Sequence, residues 1–211
     1  IITSGNNVTL VDAGAIALGA STVSGTYSVT AGGAITDTGT LAVASAAATF
    51  AATSSYDITL NDASNNFATV IITSGNNVTL VDAGAIALGA STVAGTYSVT
   101  AGGAITNTGA LAITGAATFV ATSSYDITLN NASNNFSSVI ITSGRNVTLV
   151  DAGAIALGAS TVSGTYSVAT TGAVTQSGAL AITGATTISA SGYNVTLNEA
   201  TNNFQGAVGI T

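Results

Sequence analysis

The sequence predicts an all-β fold, a parallel β-helix solenoid of about nine coils, with three coils in each repeat of about 70 residues. Three observations predict it. The segment that begins Ile1-Ile2-Thr3-Ser4-Gly5 returns at Ile71 and again at Ile140. Inside each repeat, short β-prone segments begin about 20 to 27 residues apart, which is the length of one coil made of three short strands and turns. Proline is absent, as expected where strands must donate N–H groups to neighbouring coils.

The repeats are residues 1–70, 71–139 and 140–211, and we expect one continuous solenoid because each repeat can pack against a near-identical copy. Within the first repeat, Val8, Ile35 and Ile58 each begin a β-branched segment, and Gly, Asn, Asp and Ser between the segments tolerate turn dihedrals. The Ala-rich stretch 44–52 is predicted to be β rather than helical, because no segment has a sustained helical period.

The coils are predicted to bury Val, Ile, Leu and Ala and to expose Thr, Ser, Asn and Tyr. Bulky side chains would fill the interior at Phe50, Phe67, Phe119, Phe136 and Phe204. Phe67, Phe136 and Phe204 each follow an Asn-Asn pair, which predicts one equivalent interior column. Stacked at roughly 4.8 Å, nine coils would form a rod about 43 Å long.

Composition excludes many functions. Charged residues make up only 4% of the 211, and the formal net charge is −7, with one Arg and no Lys, His or Cys. The chain therefore lacks an imidazole base, a thiol nucleophile and an ordinary zinc site, and it cannot neutralise a nucleic-acid backbone. No apolar run approaches the roughly 20 residues of a membrane-spanning helix. Asp37 is replaced by Asn107 and Gln176 in the sister repeats, so we predict no enzymatic activity, no catalytic residue and no cofactor.

The acidic residues in the predicted turns are the only group of charged side chains that the sequence places together. If coils stack in register, Asp62 and Asp82 would be neighbours about 5 Å apart, which is the strand spacing. Such a pair could capture a hard cation such as Ca²⁺. The preferred interpretation is that each Asp bonds its own turn, since Asp62 is replaced by Asn131 in the next repeat.

Outward polar rows are candidates for ligand binding. Tyr27, Tyr97 and Tyr166 hold one position in each repeat, and Tyr56, Tyr125 and Tyr193 hold another. Such tyrosines could stack on sugars, but the preferred interpretation is that they cap the core with the hydroxyl in water. A continuous threonine face for ice binding is not predicted, because the Thr-x-Thr pairs that begin at Thr36 and Thr106 recur only once in three coils.

Several segments resemble the filamentous-haemagglutinin-type exoproteins of Gram-negative bacteria. The resemblance is carried by Ile105-Thr106-Asn107-Thr108-Gly109, Leu111-Ala112-Ile113-Thr114-Gly115, Asn134-Asn135-Phe136 and Ser91-Thr92-Val93-Ala94-Gly95, and it extends over the whole chain. It implies a right-handed parallel β-helix, secretion across the outer membrane, an extracellular or cell-surface location, and a role in adhesion or matrix. It implies no catalytic or ligand residue.

The predicted function is therefore the shaft of an extracellular fibre or giant surface adhesin. An almost unvaried repeat suits a mechanical role better than the recognition of a ligand, which usually needs an irregular site on a loop. The alternative is an adhesin module that binds polysaccharide through outward Thr, Asn and Tyr rows. A β-helix leaves open strand edges at both ends. We expect those edges to be covered by flanking repeats of the same chain or by copies of itself stacked end to end into a filament.

Overall fold

The computed structural model describes all residues from Ile1 to Thr211, and every regular element is a β-strand. The strands of residues 1–74 are β1 (Ile2–Gly5), β2 (Val8–Asp12), β3 (Ile16–Leu18), β4 (Ser21–Val23), β5 (Tyr27–Ala31), β6 (Ile35–Asp37), β7 (Leu41–Ala51), β8 (Ile58–Leu60) and β9 (Asn66–Ser74). Those of residues 75–143 are β10 (Val78–Asp82), β11 (Ile86–Leu88), β12 (Ser91–Val93), β13 (Tyr97–Ala101), β14 (Ile105–Asn107), β15 (Leu111–Ala121), β16 (Ile127–Leu129) and β17 (Asn135–Ser143). The remainder are β18 (Val147–Asp151), β19 (Ile155–Leu157), β20 (Ser160–Val162), β21 (Tyr166–Thr170), β22 (Val174–Gln176), β23 (Leu180–Ile182), β24 (Thr186–Ser189), β25 (Asn203–Phe204) and β26 (Val208–Ile210).

The Ala-rich stretch lies in strand β7, as the sequence predicts. Its burial pattern follows the alternation of a strand around Leu41 and again around Phe50. Alanine has a high helix propensity, but here the burial of alternate side chains against the neighbouring coils decides the conformation. No helix in the structure has the length and hydropathy that a membrane crossing requires.

The strands stack into parallel ladders that run along a solenoid, which confirms the predicted fold class. Ladder A comprises β2, β5, β7, β9, β11, β14, β16, β18, β21, β24 and β26. Ladder B comprises β3, β6, β8, β10, β13, β15, β17, β19 and β22. Short connecting strands lie between the ladders: β1 pairs with β4, β20 pairs with β23, and β12 pairs with the first residues of the long strand β15. All pairs are parallel, as expected when each strand returns after one full coil.

The coil is shorter than the sequence spacing indicated. Residues paired in adjacent coils are about 18 to 24 positions apart, as between Val70 and Leu88 and between Ala42 and Asn66. The chain therefore makes about ten coils rather than nine, since ladder A alone contains ten successive steps. At about 4.8 Å per step, the rod is about 48 Å long.

Each repeat occupies three and a half coils, not the three that were predicted. Val8 begins β2 in ladder A, its equivalent Val78 begins β10 in ladder B, and Val147 begins β18 in ladder A again. Ladder A takes seven steps between β2 and β18, which are two repeats apart. Successive repeats are thus rotated by half a turn about the rod axis, so equivalent residues face roughly opposite sides.

The interior is a single column of apolar side chains, with 47 buried residues in one cluster. Edge-to-face aromatic pairs recur in it: Tyr27, Phe50 and Phe67 form one series, and Tyr97, Phe119 and Phe136 form the next. Ring centroids in these pairs lie 6.0–6.2 Å apart. Such contacts add about 0.5–1.5 kcal/mol beyond burial.

The prediction of one column for the three Asn-Asn-Phe phenylalanines is wrong. Phe67 pairs with Val43, Phe136 with Ile113, and Phe204 with Ile182. The half-turn between repeats places Phe136 on the side of the rod opposite to Phe67 and Phe204, which are two repeats apart. Phe67 and Phe136 are fully buried, whereas Phe204 in the last coil is only partly buried.

Gly103 lies in a turn that approaches the backbone of the coil before it. A Cβ at this position would stand 2.7 Å from the amide nitrogen of Ala85 and 2.9 Å from the carbonyl carbon of Gly84. Because backbone atoms cannot rotate away, we expect Gly103→Ala to lower the free energy of unfolding by about 1–3 kcal/mol. Urea unfolding followed by far-ultraviolet circular dichroism measures this loss.

Gly84→Ala is the matched control, since its Cβ would meet only the Asp82 carboxylate at an ordinary 3.6 Å. We expect this variant to stay within about 1 kcal/mol of the wild type. Equal losses in the two variants would show that the close approach at Gly103 has no energetic consequence.

Candidate functional site

Two rows of outward hydroxyl groups follow the two ladders. Row B lies on ladder B and consists of Thr36, Thr59, Thr79, Ser98 and Thr118, each paired with the next in the parallel register. Row A lies on ladder A and consists of Thr106, Thr128, Thr148, Ser167 and Thr187. Five consecutive coils therefore each contribute one hydroxyl to each row. The rows are missing from the sequence predictions because their members are single hydroxyl residues at unequal spacings, not recurring Thr-x-Thr pairs.

Each row ends, in both directions along the rod, at an apolar or small residue. Row B lies between Ala17 and Ile140, which pair with its first and last members. Row A lies between Ala87 and Gly209 in the same way. Each row is thus a bounded segment, and its five members span four strand spacings, or about 19 Å.

The first coils of ladder A hold a shorter hydroxyl row. Thr9 pairs with Ser28, Ser28 pairs with Thr49, and Thr49 pairs with the apolar Ile71. These three residues are the first-repeat equivalents of the last three members of row B. The first coils therefore hold a partial row of three in addition to the two complete rows of five.

A further outward row runs beside each complete hydroxyl row and is occupied by internal hydrogen bonds. The carboxylate of Asp57 accepts from the backbone N–H and the side-chain amide of Asn77, and Asn77 Oδ1 accepts from the N–H and hydroxyl of Thr96 in the following coil. Asp126, Asn146 and Thr165 repeat this chain of contacts half a turn away. The hydroxyl rows take no part in this network, so their oxygen atoms stay available to a ligand.

The only cationic side chain of the protein belongs to this flanking row. Arg145 Nε donates to Asp126 Oδ1 at 2.8 Å, and Arg145 Nη2 donates to Asp126 Oδ2 at 3.0 Å. The guanidinium, together with the backbone N–H of Asn146, lowers the pKa of Asp126 to about 2. Asp57 has Asn76 in place of the arginine, and the N–H of Asn77 and the nearby amides lower its pKa. These acids are therefore ionised and held by their own neighbours.

The six tyrosines divide into two environments. Tyr56, Tyr125 and Tyr193 project from the loops before β8, β16 and Val195, with 46%, 44% and 55% of their surface exposed. Tyr27, Tyr97 and Tyr166 are fully buried, so the prediction of a hydroxyl in water is wrong for this set. Their hydroxyl groups lie in the apolar interior without a well-formed hydrogen bond, and burial raises their pKa values.

The two acids of the predicted cation site have different environments. Asp82 is buried, and its two carboxylate oxygens accept from the N–H groups of Phe67 at 2.6 Å and Gly84 at 2.8 Å. Asp62 is half-buried and accepts from the N–H of Ser64 and the hydroxyl of Thr40. No three residues among His, Cys, Asp and Glu are grouped as metal ligands would be. The structure thus engages both acids in turns, and Ca²⁺ binding at this pair stays an untested alternative to the preferred interpretation.

Buried acids and amides organise the remaining turns. Asp151 repeats the environment of Asp82, accepting from Phe136 and Gly153, and burial raises the pKa of both carboxyl groups. Asn134 is fully buried; its Oδ1 accepts from Leu111 N–H, and its Nδ2 donates to the carbonyl groups of Leu129 and Val150. Such buried polar side chains are stable because their donors and acceptors are paired.

The stability of the wild type should depend on pH in a direction set by these acids. Burial raises the folded-state pKa of Asp82 and Asp151 above the unfolded value of 3.8, so the folded state holds protons that the unfolded state has released. Their contribution is fully present below pH 3.8 and is lost as the pH rises through the folded-state pKa. Asp126 acts in the opposite sense, because its contribution is present above pH 3.8 and is lost as the pH falls toward about 2.

Between pH 7 and pH 4 the buried pair should therefore dominate, and acidification should increase the stability. Urea midpoints at pH 7 and pH 4 measure the slope, and Asp82→Asn should reduce it because the amide does not titrate. An unchanged slope in this variant would show that Asp82 binds no extra proton in the folded state.

The acid-to-amide exchange at position 37 has a structural explanation. Asp37 accepts from the side-chain amide of Asn65, and its replacement Asn107 instead donates to Asn134 Oδ1. Gln176 accepts from the side-chain amide of Asn202. In all three repeats the residue bridges to an asparagine of the next coil, so the position serves coil stacking.

Both ends of the rod expose apolar side chains whose equivalents in other repeats are buried. At one end, Val8 and Leu10 are only partly buried, whereas their second-repeat equivalents Val78 and Leu80 are buried. At the other end, Val208 and Ile210 of β26 are 44% and 52% exposed, although their equivalents in the first repeat, Val70 and Ile72, are completely buried. The residues that line the open apolar surface at this end include Val195, Leu197 and Phe204.

These features define a tandem-repeat β-solenoid protein, built of stacked coils with hydroxyl rows on two sides. The chain belongs to the family described as repeats of unknown function (DUF5649), which matches residues 5–74, 75–143 and 144–211. No curated protein and no solved structure matches the chain. The resemblance to filamentous-haemagglutinin-type exoproteins therefore stays a prediction.

Proposed function

We propose that the chain is a structural segment, the shaft of a secreted extracellular fibre or giant surface adhesin. The observation that carries this proposal is the unbroken parallel stack of about ten coils around one apolar column. Each added repeat lengthens such a stack without changing its cross-section. A shaft needs length, stiffness and resistance to proteases, and internal strands hide most of the backbone from proteolysis.

We also propose that the exposed ends are covered by further coils. The strands β1 and β26 have unpaired edges there, and the apolar residues Val208 and Ile210 stand where a following coil would pack. Flanking repeats of the same chain could supply that coil, and so could another copy of it. Contacts between copies of this kind do not close, so they would propagate a filament.

Small-angle X-ray scattering from chains of three, six and nine repeats tests the shaft. We expect the maximum dimension to grow by about 17 Å per repeat, which is three and a half strand spacings, at constant cross-section. Growth with the cube root of chain length, or a change in cross-section, would contradict the proposal.

Electron microscopy and sedimentation of residues 1–211 test the end contacts between copies. We expect filaments, and we expect Val208→Lys with Ile210→Lys to prevent them because charges would be buried at the junction. The matched control is Thr92→Lys with Thr161→Lys, at exposed positions of the connecting strands β12 and β20. A wild-type chain that stays monomeric at high concentration would rule out stacking of copies and leave only flanking repeats.

A second candidate function is binding of cell-surface or matrix polysaccharide. The two complete hydroxyl rows and the exposed tyrosines favour it.

A further inference from the structure

We propose that row A and row B each bind one neutral glycan chain along the rod axis, so that a single solenoid segment holds two glycan chains on opposite sides. This inference rests on the second candidate function and does not depend on the shaft role. Beyond that function, we infer that the glycan is neutral, that the residues of the two rows bind it and that each segment has two sites.

The hydroxyl groups of each row are regularly spaced along the rod. The five members of each row occupy the middle outward position of consecutive coils, for example Thr59 between the buried Ile58 and Leu60. Each hydroxyl can donate one hydrogen bond and accept others, which suits the hydroxyl groups of a sugar. A row about 19 Å long offers these contacts at a constant interval, so it fits an extended repetitive chain better than a compact ligand.

Charge limits the class of glycan. The protein has a formal net charge of −7, and its only cationic side chain, Arg145, is already paired with Asp126. Asp37 directly follows Thr36 of row B, and Asp57 and Asp126 lie just before the strands that carry Thr59 of row B and Thr128 of row A. An acidic polysaccharide would meet repulsion and find no free cation, so the proposed ligand is neutral rather than acidic.

An exposed tyrosine lies in the loop that leads into one strand of each row. Tyr56 lies shortly before Thr59 of row B in the chain, and Tyr125 lies shortly before Thr128 of row A. Both rings are nearly half exposed, and away from the end coils no other large apolar side chain is as exposed. A tyrosine ring supplies a rigid apolar surface with a polar end, which can stack on the apolar side of a sugar ring. The projecting rings also disfavour a planar ice surface, which would need an even face.

The half-turn between repeats sets the number of sites. Row A is row B moved on by one repeat, and three and a half coils place it on the other side of the rod. A glycan chain bound to one row cannot reach the other without bending around the solenoid. The segment is therefore bivalent, and it would cross-link glycan chains rather than only adhere to them.

Valine substitutions test the proposal while preserving side-chain shape and β propensity. The row B variant carries Thr59→Val, Thr79→Val and Thr118→Val; the row A variant carries Thr128→Val, Thr148→Val and Thr187→Val. The control variant removes three hydroxyl groups from exposed positions of the connecting strands, with Thr22→Val, Thr92→Val and Thr161→Val. Circular dichroism and urea unfolding should show that all these variants fold like the wild type.

The probes are cellulose, amylose and dextran, with alginate as the acidic comparison. We expect saturable binding to at least one neutral polysaccharide, no binding to alginate, and at least a tenfold loss of affinity when both rows are changed. Each single-row variant should keep binding with about half the capacity and should no longer cross-link soluble amylose or dextran chains, or cellulose particles, as measured by turbidity. The control variant should match the wild type.

Three results would overturn the proposal. The first is an absence of binding to all the neutral polysaccharides. The second is equal binding by the wild type and the double-row variant. The third is inhibition of ice recrystallisation that is lost in the double-row variant without any polysaccharide binding, which would assign the rows to ordered water. A shaft that elongates normally but fails these tests would leave the structural proposal intact.

Discussion

Replacing Phe136 with Ala should lower the free energy of unfolding by about 3–5 kcal/mol. The ring is fully buried between coils and meets Phe119 edge to face, with centroids 6.2 Å apart. The substitution removes apolar contacts and leaves a cavity that the hydrogen-bonded coils cannot close, because both neighbouring strands are fixed by their ladders. Urea unfolding of residues 1–211, followed by far-ultraviolet circular dichroism, measures the loss.

Phe204→Ala is the matched control, since Phe204 holds the same repeat position but is only partly buried in the last coil. We expect a loss at least about 1 kcal/mol smaller than that of Phe136→Ala, in proportion to the smaller area that is removed from water. A loss below about 1 kcal/mol for Phe136→Ala would contradict the interior position of this ring.

Asp82→Ala should lower the free energy of unfolding by about 2–4 kcal/mol at pH 7. The substitution leaves the N–H groups of Phe67 and Gly84 without their acceptor, and a buried unsatisfied donor costs about 1–3 kcal/mol. Removal of a desolvated charge offsets part of that loss. Urea midpoints at this pH measure the difference from the wild type.

Asp12→Ala is the matched control, because Asp12 is exposed and accepts only from the N–H of Gly14. We expect it to cost less than about 1 kcal/mol, since water can replace the lost acceptor. Equal losses at the two positions would contradict the inter-coil role of Asp82.

The sequence was sufficient for the parts of the structure that depend on local pattern. Alternation of apolar and polar residues around Ile58 and Leu60 predicted a strand with two inward side chains, and the structure confirms it. The local pattern also predicted a strand for the Ala-rich stretch of β7 and interior positions for Phe67 and Phe136, and the structure confirms both. The sequence could not place Asp82, because an aspartate at the end of a strand and two residues before a glycine has the same local pattern whether it is exposed, like Asp12, or buried.

The hydroxyl rows were missed for a related reason. Thr59 pairs with Thr36 on one side and with Thr79 on the other, and the two pairs have different separations along the chain. No fixed period in the sequence therefore connects the members of a row. Loops of different length between the strands change the spacing without changing the stacking. Only the pairing of the strands shows that these hydroxyl groups form one line.

By itself the sequence determined that this protein is an all-β tandem-repeat solenoid without helices, since the β-branched alternation, the turn residues and the missing prolines are local properties that act in every coil. Only the tertiary structure decided how far each repeat is rotated about the rod axis relative to the one before it. Each coil closes where its backbone N–H and C=O groups meet those of the coil before it, and the length of chain this takes varies from coil to coil. Because one repeat then makes three and a half coils, identical sequences in successive repeats face opposite sides of the rod. The extra half coil therefore places the two complete hydroxyl rows on different sides.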